Sequence, residues 1–365
     1  MPSLTVLEFE QMIAELEGNI AKIREIGARE GRDVSGEVED LERHRDALQR
    51  EFFDKLTPWD HVLLARHGDR PYTLDYVQGI CDDFLELHGD RAFGDDGALV
   101  GGLASFEGKP IVVIGQQKGR DLKERTRRNF GYARPEGYRK ALRLMKLAEK
   151  FGCPVLTFVD TPGADANVPS EERGISEAIA RNLREMSVLK TPIVSVIIGE
   201  GGSGGALGIA VADRVLMLEH AIYSVIAPEG CASILWRDPA RAAEAATAMR
   251  VTARDALELG FVDEVIPEPL GGAHRGPEAT ALAVKEAVAR HLREVGRLSR
   301  TRLLSTRYDK FRAMGRFHEG GAADDATAAE DAVAAGAMVA PPDPAAPSAP
   351  GREEPSAAVA QRPSA

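Results

Sequence analysis

The sequence predicts an α/β layered fold built on parallel strands, and three observations carry that prediction. From about residue 98 onward, short apolar runs alternate with amphipathic helical stretches, the pattern of strands covered by helices. A unit of helix, short proline-containing linker, buried strand and glycine-containing loop is written twice, through "PVLTFVD" with "TPGADANVP" and through "PIVSVIIG" with "EGGSGG". Such units favour parallel pairing, because the crossover helix returns the chain to the same edge of the sheet. Finally, a hydrophobic fraction of 44% over 365 residues suffices for a sizeable core.

The elements follow in order. Residues 4–56 carry apolar side chains three or four apart (Leu7, Met12, Leu16, Ile20, Ile23, Ile26, then Leu41, Leu48 and Phe52), which predicts two helices joined at "EGRDVSGE". "TPWDHVLLARHGDRPYTLDYVQGICDDFLELHGDR" continues as loop and helix. "ALVGGLASFEGKPIVVIGQQ" reads as two strands around a turn at Glu107-Gly108, and "PEGYRKALRLMKLAEKFG" as a helix ending at Gly152. "SEERGISEAIARNLREMSVLK" reads as one helix capped by Ser170, with Ile175, Ile179, Leu183 and Met186 on one face. The strands "RVLMLEHA" and "YSVIAP" come after the glycine loop, and helices dominate from there to about Phe317. Beyond it, Ala, Pro and acids replace large apolar residues, so disorder is expected for residues 318–365. The expected division is a helical segment 1–60, a main domain 61–317 and the tail 318–365.

A net charge of −11 argues against a chain-wide nucleic-acid or membrane-surface role. Three scattered cysteines form neither a disulfide framework nor a C-x-x-C pair, which fits a reduced compartment. The N-terminus lacks the basic start and apolar core of a signal peptide, and no run nears the length of a membrane span. A cytoplasmic location is therefore expected.

Three segments invite chemistry. Gly-Gly-Ser-Gly-Gly, residues 201–205, formally matches the G-x-S-x-G elbow of serine hydrolases, with His274 and Asp263 downstream in triad order. His274 sits in a turn-rich stretch with no other sign of a catalytic loop, so Ser203 is read as a small loop residue. The glycines instead leave consecutive N–H groups free at the start of the helix "ALGIAVA", which specifies an oxyanion hole. A tight turn without a ligand is the alternative. "DTPG", residues 160–163, resembles a GTPase switch, but no phosphate loop of the G-x-x-x-x-G-K-[ST] type occurs in the chain. "KGRDLKERTRRNFGYARPEGYRK" is a basic island after the strand "IVVIGQQ", suited to phosphates or an acidic partner, or else paired with local acids.

The ordered motifs "RRNFGYARPEGYRKALRLMKLAEKFG", "DTPGA", "EERGISEAIARNLREMS", "IGEGGSGGALGIA", "YSVIAPEGCASILW" and "IPEPLGGAHR" resemble the carboxyltransferase α-subunit family of bacterial-type acetyl-CoA carboxylases, over roughly residues 4–317. The resemblance implies a crotonase-like fold of ββα units in a superhelix, and transfer of a carboxyl group from carboxybiotin to acetyl-CoA to form malonyl-CoA. It implies a β partner in an α2β2 assembly, biotin delivered on a carboxyl carrier protein, and biotin carboxylase in the wider complex. Zinc is expected on the β chain and no metal in this one; neither membrane nor nucleic acid is an expected partner. In this family the released biotin is thought to take the acetyl proton itself, so the protein's part is to hold anions.

By position, Gly204 and Gly205 would hold the ureido oxygen, with Gly201, Gly202, Gly163, Lys118, Gly119 and Arg120 as substrate-binding residues. Two departures stand out: Asp165-Ala166 where the family often has Tyr-Pro, and Gln116 where it often has His. Two other classes remain: a self-contained crotonase-type acyl-CoA hydratase or isomerase, which would need acid–base residues over the thioester, and a non-catalytic assembly subunit.

Overall fold

The N-terminal periodicity forms two helices, α1 (Val6–Glu30) and α2 (Ser35–Phe53), folded back on one another after Gly31, whose φ is +64°. The structure is a computed structural model and describes residues 6–315; the tail expected over 318–365 lies outside the described residues. The hairpin closes through aromatic rings: Phe9 lies flat on Phe52 with centroids 3.9 Å apart, and Phe53 meets both edge-on. Phe9, Ile13 and Ile20 form the buried face of α1, while Ile26, counted in the apolar pattern, faces outward.

Short helices α3 (Pro58–Ala65) and α4 (Thr73–Ile80) follow, α3 opening on a capping box between Thr57 and Asp60. The stretch expected to continue as helix then contains strand β1 (Asp82–Glu86), an exposed edge strand antiparallel to β2 (Leu99–Phe106). Its two leading aspartates are poor strand formers, and only the neighbouring strand supplies its backbone partners. The predicted hairpin is present: β2 pairs with β3 (Lys109–Gln116) from Leu99 opposite Gln116 to Phe106 opposite Lys109. Glu107 and Gly108 both take positive φ in its turn, as a type I′ connection requires.

After α5 (Leu122–Arg127), helix α6 (Pro135–Phe151) begins with proline in its first turn and ends at Gly152 with φ +70°, as its sequence signals indicate. Strand β4 (Val155–Thr161) leads to a difference from expectation. The single helix read from Ser170 is two, α7 (Val168–Glu172) and α8 (Ile175–Ser187), broken at Gly174 with φ +77°. Asn167, not Ser170, caps α7; the Ser170 hydroxyl instead donates to Asp165. Then come β5 (Ile193–Gly202), α9 (Ser203–Ala210), β6 (Arg214–Leu218), β7 (Ile222–Ser224), α10 (Pro228–Trp236), α11 (Ala242–Met249) and α12 (Ala253–Glu258). Strand β8 (Glu264–Ile266), absent from the sequence reading, precedes α13 (Pro277–Val295) and α14 (Arg300–Arg312).

One sheet runs β1-β2-β3-β4-β5-β6-β8, antiparallel across β1–β3 and parallel from β3 onward. β4 and β5 are buried along their whole length and packed between helices. The first part of β5 pairs with β4 and β6. Its last residues, Glu200–Gly202, pair with β7 and with Thr161 beyond a register shift. That shift brings the loop after β4 against the start of α9. No helix among the described residues is long and apolar enough to cross a membrane.

Candidate functional site

Two glycine-containing loops meet at the carboxyl ends of β4 and β5, where parallel sheets place ligands. A Cβ on Gly202 would lie 2.2 Å from the Pro162 carbonyl oxygen, and one on Gly205 would lie 2.4 Å from the backbone of Gly163. Backbone therefore packs on backbone, and no side chain fits between. Gly201 faces the Tyr223 ring, with its hypothetical Cβ 2.8 Å from Cδ2. Gly204 is different: it is half-buried, and a Cβ there would make only ordinary contacts at 3.8 Å with Ile179. The N–H groups of Ser203, Gly204 and Gly205 form the first turn of α9, where helical partners are lacking. Beneath the turn, the Gln116 amide and the Tyr138 hydroxyl both donate to the Gly205 carbonyl, at 3.2 and 3.1 Å.

Ser203 has φ +52°, so the strand–serine–helix turn does have the strained geometry of a nucleophile elbow. The other members of a triad are elsewhere. His274 Nε2 is 2.7 Å from Glu10, and Asp263 accepts the Val215 N–H and pairs with Lys310. A cleft of about 430 Å³ opens beside Ser203 and Gly204, walled by Leu207, Val225, Phe261, Phe311 and Met314, with Arg250 as the charged residue of its described lining. No described residue of that lining is an Asp, Glu or His.

The basic island proves to be largely paired with the protein itself. Lys118 Nζ lies 2.7 Å from Asp160 and 2.9 Å from Glu200, and Arg66 reaches both Glu200 at 2.8 Å and Glu229 at 2.5 Å. Burial alone would lower the Lys118 pKa, but the two carboxylates raise it above the usual lysine range. For Glu200, burial pushes upward and is outweighed by Lys118 and Arg66, leaving it below the usual carboxylate range. Arg120 bonds the carbonyls of Gly68 and Arg70, pairs with Asp75 and stacks on Tyr72. Gly119 permits the tight turn between them, since a Cβ there would meet the Arg125 nitrogen at 2.2 Å. Lys118 thus ties the loop after β3 to the ends of β4 and β5 and Arg120 ties it to the α3–α4 connection, and neither presents an unpaired charge to a phosphate.

Arg128, Arg139 and Lys140 are likewise paired, with Glu124, Asp90 and Asp95. Asp165, at the departure from the family pattern, is buried and accepts from Ser170 and Asn167, so it shapes the loop internally. Glu200, Arg66 and Tyr138 do not stand out in the sequence, and Asp160 does so only as the head of the "DTPG" motif, not as an ion-pair partner. Arg66 and Glu200 lie 134 residues apart, and no local pattern joins them.

On the side of the N-terminal hairpin, Glu10, His67 and His274 place ligand atoms within 4.8 Å of one another, the geometry of a candidate metal centre. Hydrogen bonding favours a different use. The Asp69 N–H donates to His67 Nδ1 at 3.2 Å, which leaves the His67 proton on Nε2, facing Glu10 at 3.3 Å. Burial raises the Glu10 carboxyl, but these two imidazoles bring it down to about 2. The cluster therefore fits as a hydrogen-bonded latch holding α1 to the loops at 67 and 274.

A family model described as acetyl co-enzyme A carboxylase carboxyltransferase-like matches residues 6–315. The chain is 56% identical over 319 residues to the acetyl-coenzyme A carboxylase carboxyl transferase subunit alpha of Geobacter metallireducens, covering 87% of this chain and 100% of that protein. It is 54% identical over 309 residues to the same-named protein of Halorhodospira halophila, covering 85% and 97%. Among solved structures, a chain of a Pseudomonas malonate decarboxylase hetero-dimer superposes with TM-score 0.51 at 18% identity over 66% of this chain and 95% of that one, a likeness of fold alone.

Proposed function

The chain belongs to the acetyl co-enzyme A carboxylase carboxyltransferase family, and on that premise we propose that its glycine turn binds the anion formed when a carboxyl group leaves carrier-bound carboxybiotin for acetyl-CoA. The observation that carries this reading is the first turn of α9. Its leading N–H groups begin at Ser203 and half-buried Gly204, which line the cleft, and continue to buried Gly205 behind them, fixed before any substrate arrives. Fixed amide donors in a partly dry site stabilise developing negative charge without reorganising.

Carboxybiotin supplies the carboxyl group and, once it has given that group up, accepts the proton lost by the acetyl methyl. The chain's residues then have three tasks. Gly204 and Gly205 hold the ureido oxygen, the apolar walls at Leu207, Val225 and Phe261 exclude water, and the Lys118–Asp160–Glu200–Arg66 network keeps the loops in register. A hydratase or isomerase would need an acid–base pair over the thioester, which the described lining does not supply. A β chain completes the site and holds the thioester oxygen. The carrier protein and biotin carboxylase act upstream, and the location is cytoplasmic.

The test is malonyl-CoA formation from carboxybiotin and acetyl-CoA by this chain, by a β partner and by the two together. Activity only in the mixture is expected. Hydration of enoyl-CoA by the chain alone would overturn the reading.

A further inference from the structure

Gln116 ends β3 with its side chain fully buried, and its amide joins the end of β4 to the first turn of α9. Nε2 donates to the Gly205 carbonyl at 3.2 Å, while Oε1 accepts the Asp160 N–H at 3.1 Å. Its backbone carbonyl is held in turn by the Thr73 hydroxyl. Tyr138, also fully buried, donates to the same Gly205 oxygen at 3.1 Å, and burial raises its pKa so that it remains a donor. The charged groups facing this point, Lys118, Asp160 and Glu200, are already paired with one another.

Helix α9 has only eight residues, too few to define its own first turn in water, so tertiary anchors must orient its leading peptides. The Gly205 carbonyl belongs to that turn. Anchoring it fixes the Gly205–Ala206 peptide at the close of that turn, which holds in place the short segment carrying the N–H groups at 203–205, and the same amide carries the restraint to the end of β4.

We propose that Gln116 is a positioning residue for carboxyl transfer: its side-chain amide, acting as donor to Gly205 and acceptor from Asp160, aims the anion-binding turn. This rests on the carboxyl-transfer reading of the glycine turn. The role needs a neutral side chain with one donor and one acceptor, a requirement that glutamine meets at every working pH. A neutral imidazole also meets it. A protonated one offers two donors and must abandon the Asp160 N–H.

The experiment compares Gln116→Leu and Gln116→His with wild type, each assembled with the β partner. Gln116→Leu should lower kcat on the order of 10²-fold, as small misplacements of catalytic groups do, with KM for acetyl-CoA nearly unchanged. Gln116→His should recover most of the rate at alkaline pH and lose it as the imidazole protonates, over a range where wild type is flat. A purely structural role would not create a new titration in kcat. In parallel, backbone amide NMR of the isolated chain should show the Gly204 and Gly205 resonances shifting in Gln116→Leu while those of α1 and α2 stay in place. Wild-type kcat in Gln116→Leu, or a Gln116→His profile that overlays wild type, would overturn the proposal. If wild-type complexes make no malonyl-CoA, the transfer reading fails instead, and unshifted glycine resonances would remove the clamp as well.

Discussion

Gly204 and Gly205 are neighbours of one residue type held by different constraints. At Gly205 any Cβ strikes the backbone of Gly163 and Ala164, so even alanine must part the two loops, and loss of activity there would not reveal whether an amide binds an anion. At Gly204 the same methyl group meets only Ile179 at 3.8 Å. Because a helical Cβ tilts toward the N-terminus, it would stand where the anion is expected. Gly204→Ala should therefore keep or slightly raise the melting temperature, since alanine is the better helix former, while carboxyl transfer falls by about 10²-fold. Unchanged transfer in a folded Gly204→Ala complex would leave the glycines with a packing role only. Lys118 separates two roles in the same way. As a buried partner of Asp160 and Glu200, its replacement in Lys118→Met leaves the buried Asp160 without its cation and Glu200 with Arg66 alone, and should cost about 3–5 kcal/mol in urea unfolding. A raised KM for acetyl-CoA with unchanged stability would instead mark it as a substrate ligand. The glycine turn was legible because its signal is local, a run of glycines between an apolar strand and a helix. The commitments of Lys118 and Arg120 were not, because their acceptors lie tens of residues away, in β4, β5 and the α3–α4 connection.

Among the elements, legibility followed the same division. The β2–β3 hairpin, α6 and the parallel strands β4 to β6 announce themselves through apolar runs, a Glu-Gly turn, a leading proline and a closing glycine. β1 and β8 do not, since each short strand has little intrinsic preference and is defined by the neighbour that pairs with it. The α7–α8 break turns on Gly174, which a helical pattern tolerates on paper. The seam between the N-terminal hairpin and the sheet was also invisible, and it is rich in histidine. His220 packs beside Phe53, with its Nδ1 3.4 Å from that of His61, and its main-chain N–H donates to Glu268. Burial pushes His220 down to about 4 and lowers His61, outweighing the nearby Glu268 carboxylate. A folded-state pKa below the unfolded value means that the native state binds fewer protons. This contribution to stability is therefore present above about pH 6.5 and lost as pH falls toward 4. Glu268 adds to the trend at lower pH: burial raises it, but Arg70 holds it at about 2, a stabilisation lost between 4.5 and 2. Stability should thus drop by roughly 3 kcal/mol from pH 7 to pH 4.5 as the seam takes up protons. His220→Gln should flatten much of that slope in urea titrations across the range. An unchanged slope would place the acid sensitivity elsewhere.

Across the whole molecule, the last described helix, α14, is built into the core, and one side chain argues why. Arg307 is 1% exposed, and its guanidinium grips both oxygens of Asp213 and the carbonyls of Met186, Leu189 and Thr191. Asp213 in turn accepts the Ile193 N–H at the start of β5, the strand that ends in the glycine turn. The last helix is thereby bolted to the base of the strand that carries the site, while Phe311 and Met314 wall the cleft at its other end. Residues 318–365 have the opposite character in sequence, Ala, Pro and acids with almost no large apolar side chain, and both curated relatives compared above align with no more than 87% of the chain while being nearly fully covered themselves. That composition is the ground for expecting no contribution from the segment to stability or turnover. Arg307→Met should therefore cost about 3–5 kcal/mol, because Asp213 and three carbonyls lose their donors in a dry interior. Truncation after Phe317 should leave both melting temperature and carboxyl transfer near wild type. Calorimetry and turnover of the two variants, side by side with the β partner, test the division. A large loss on truncation would mean that the tail contributes to the fold or the site, and an Arg307→Met chain as stable as wild type would mean that α14 is held by its apolar contacts alone.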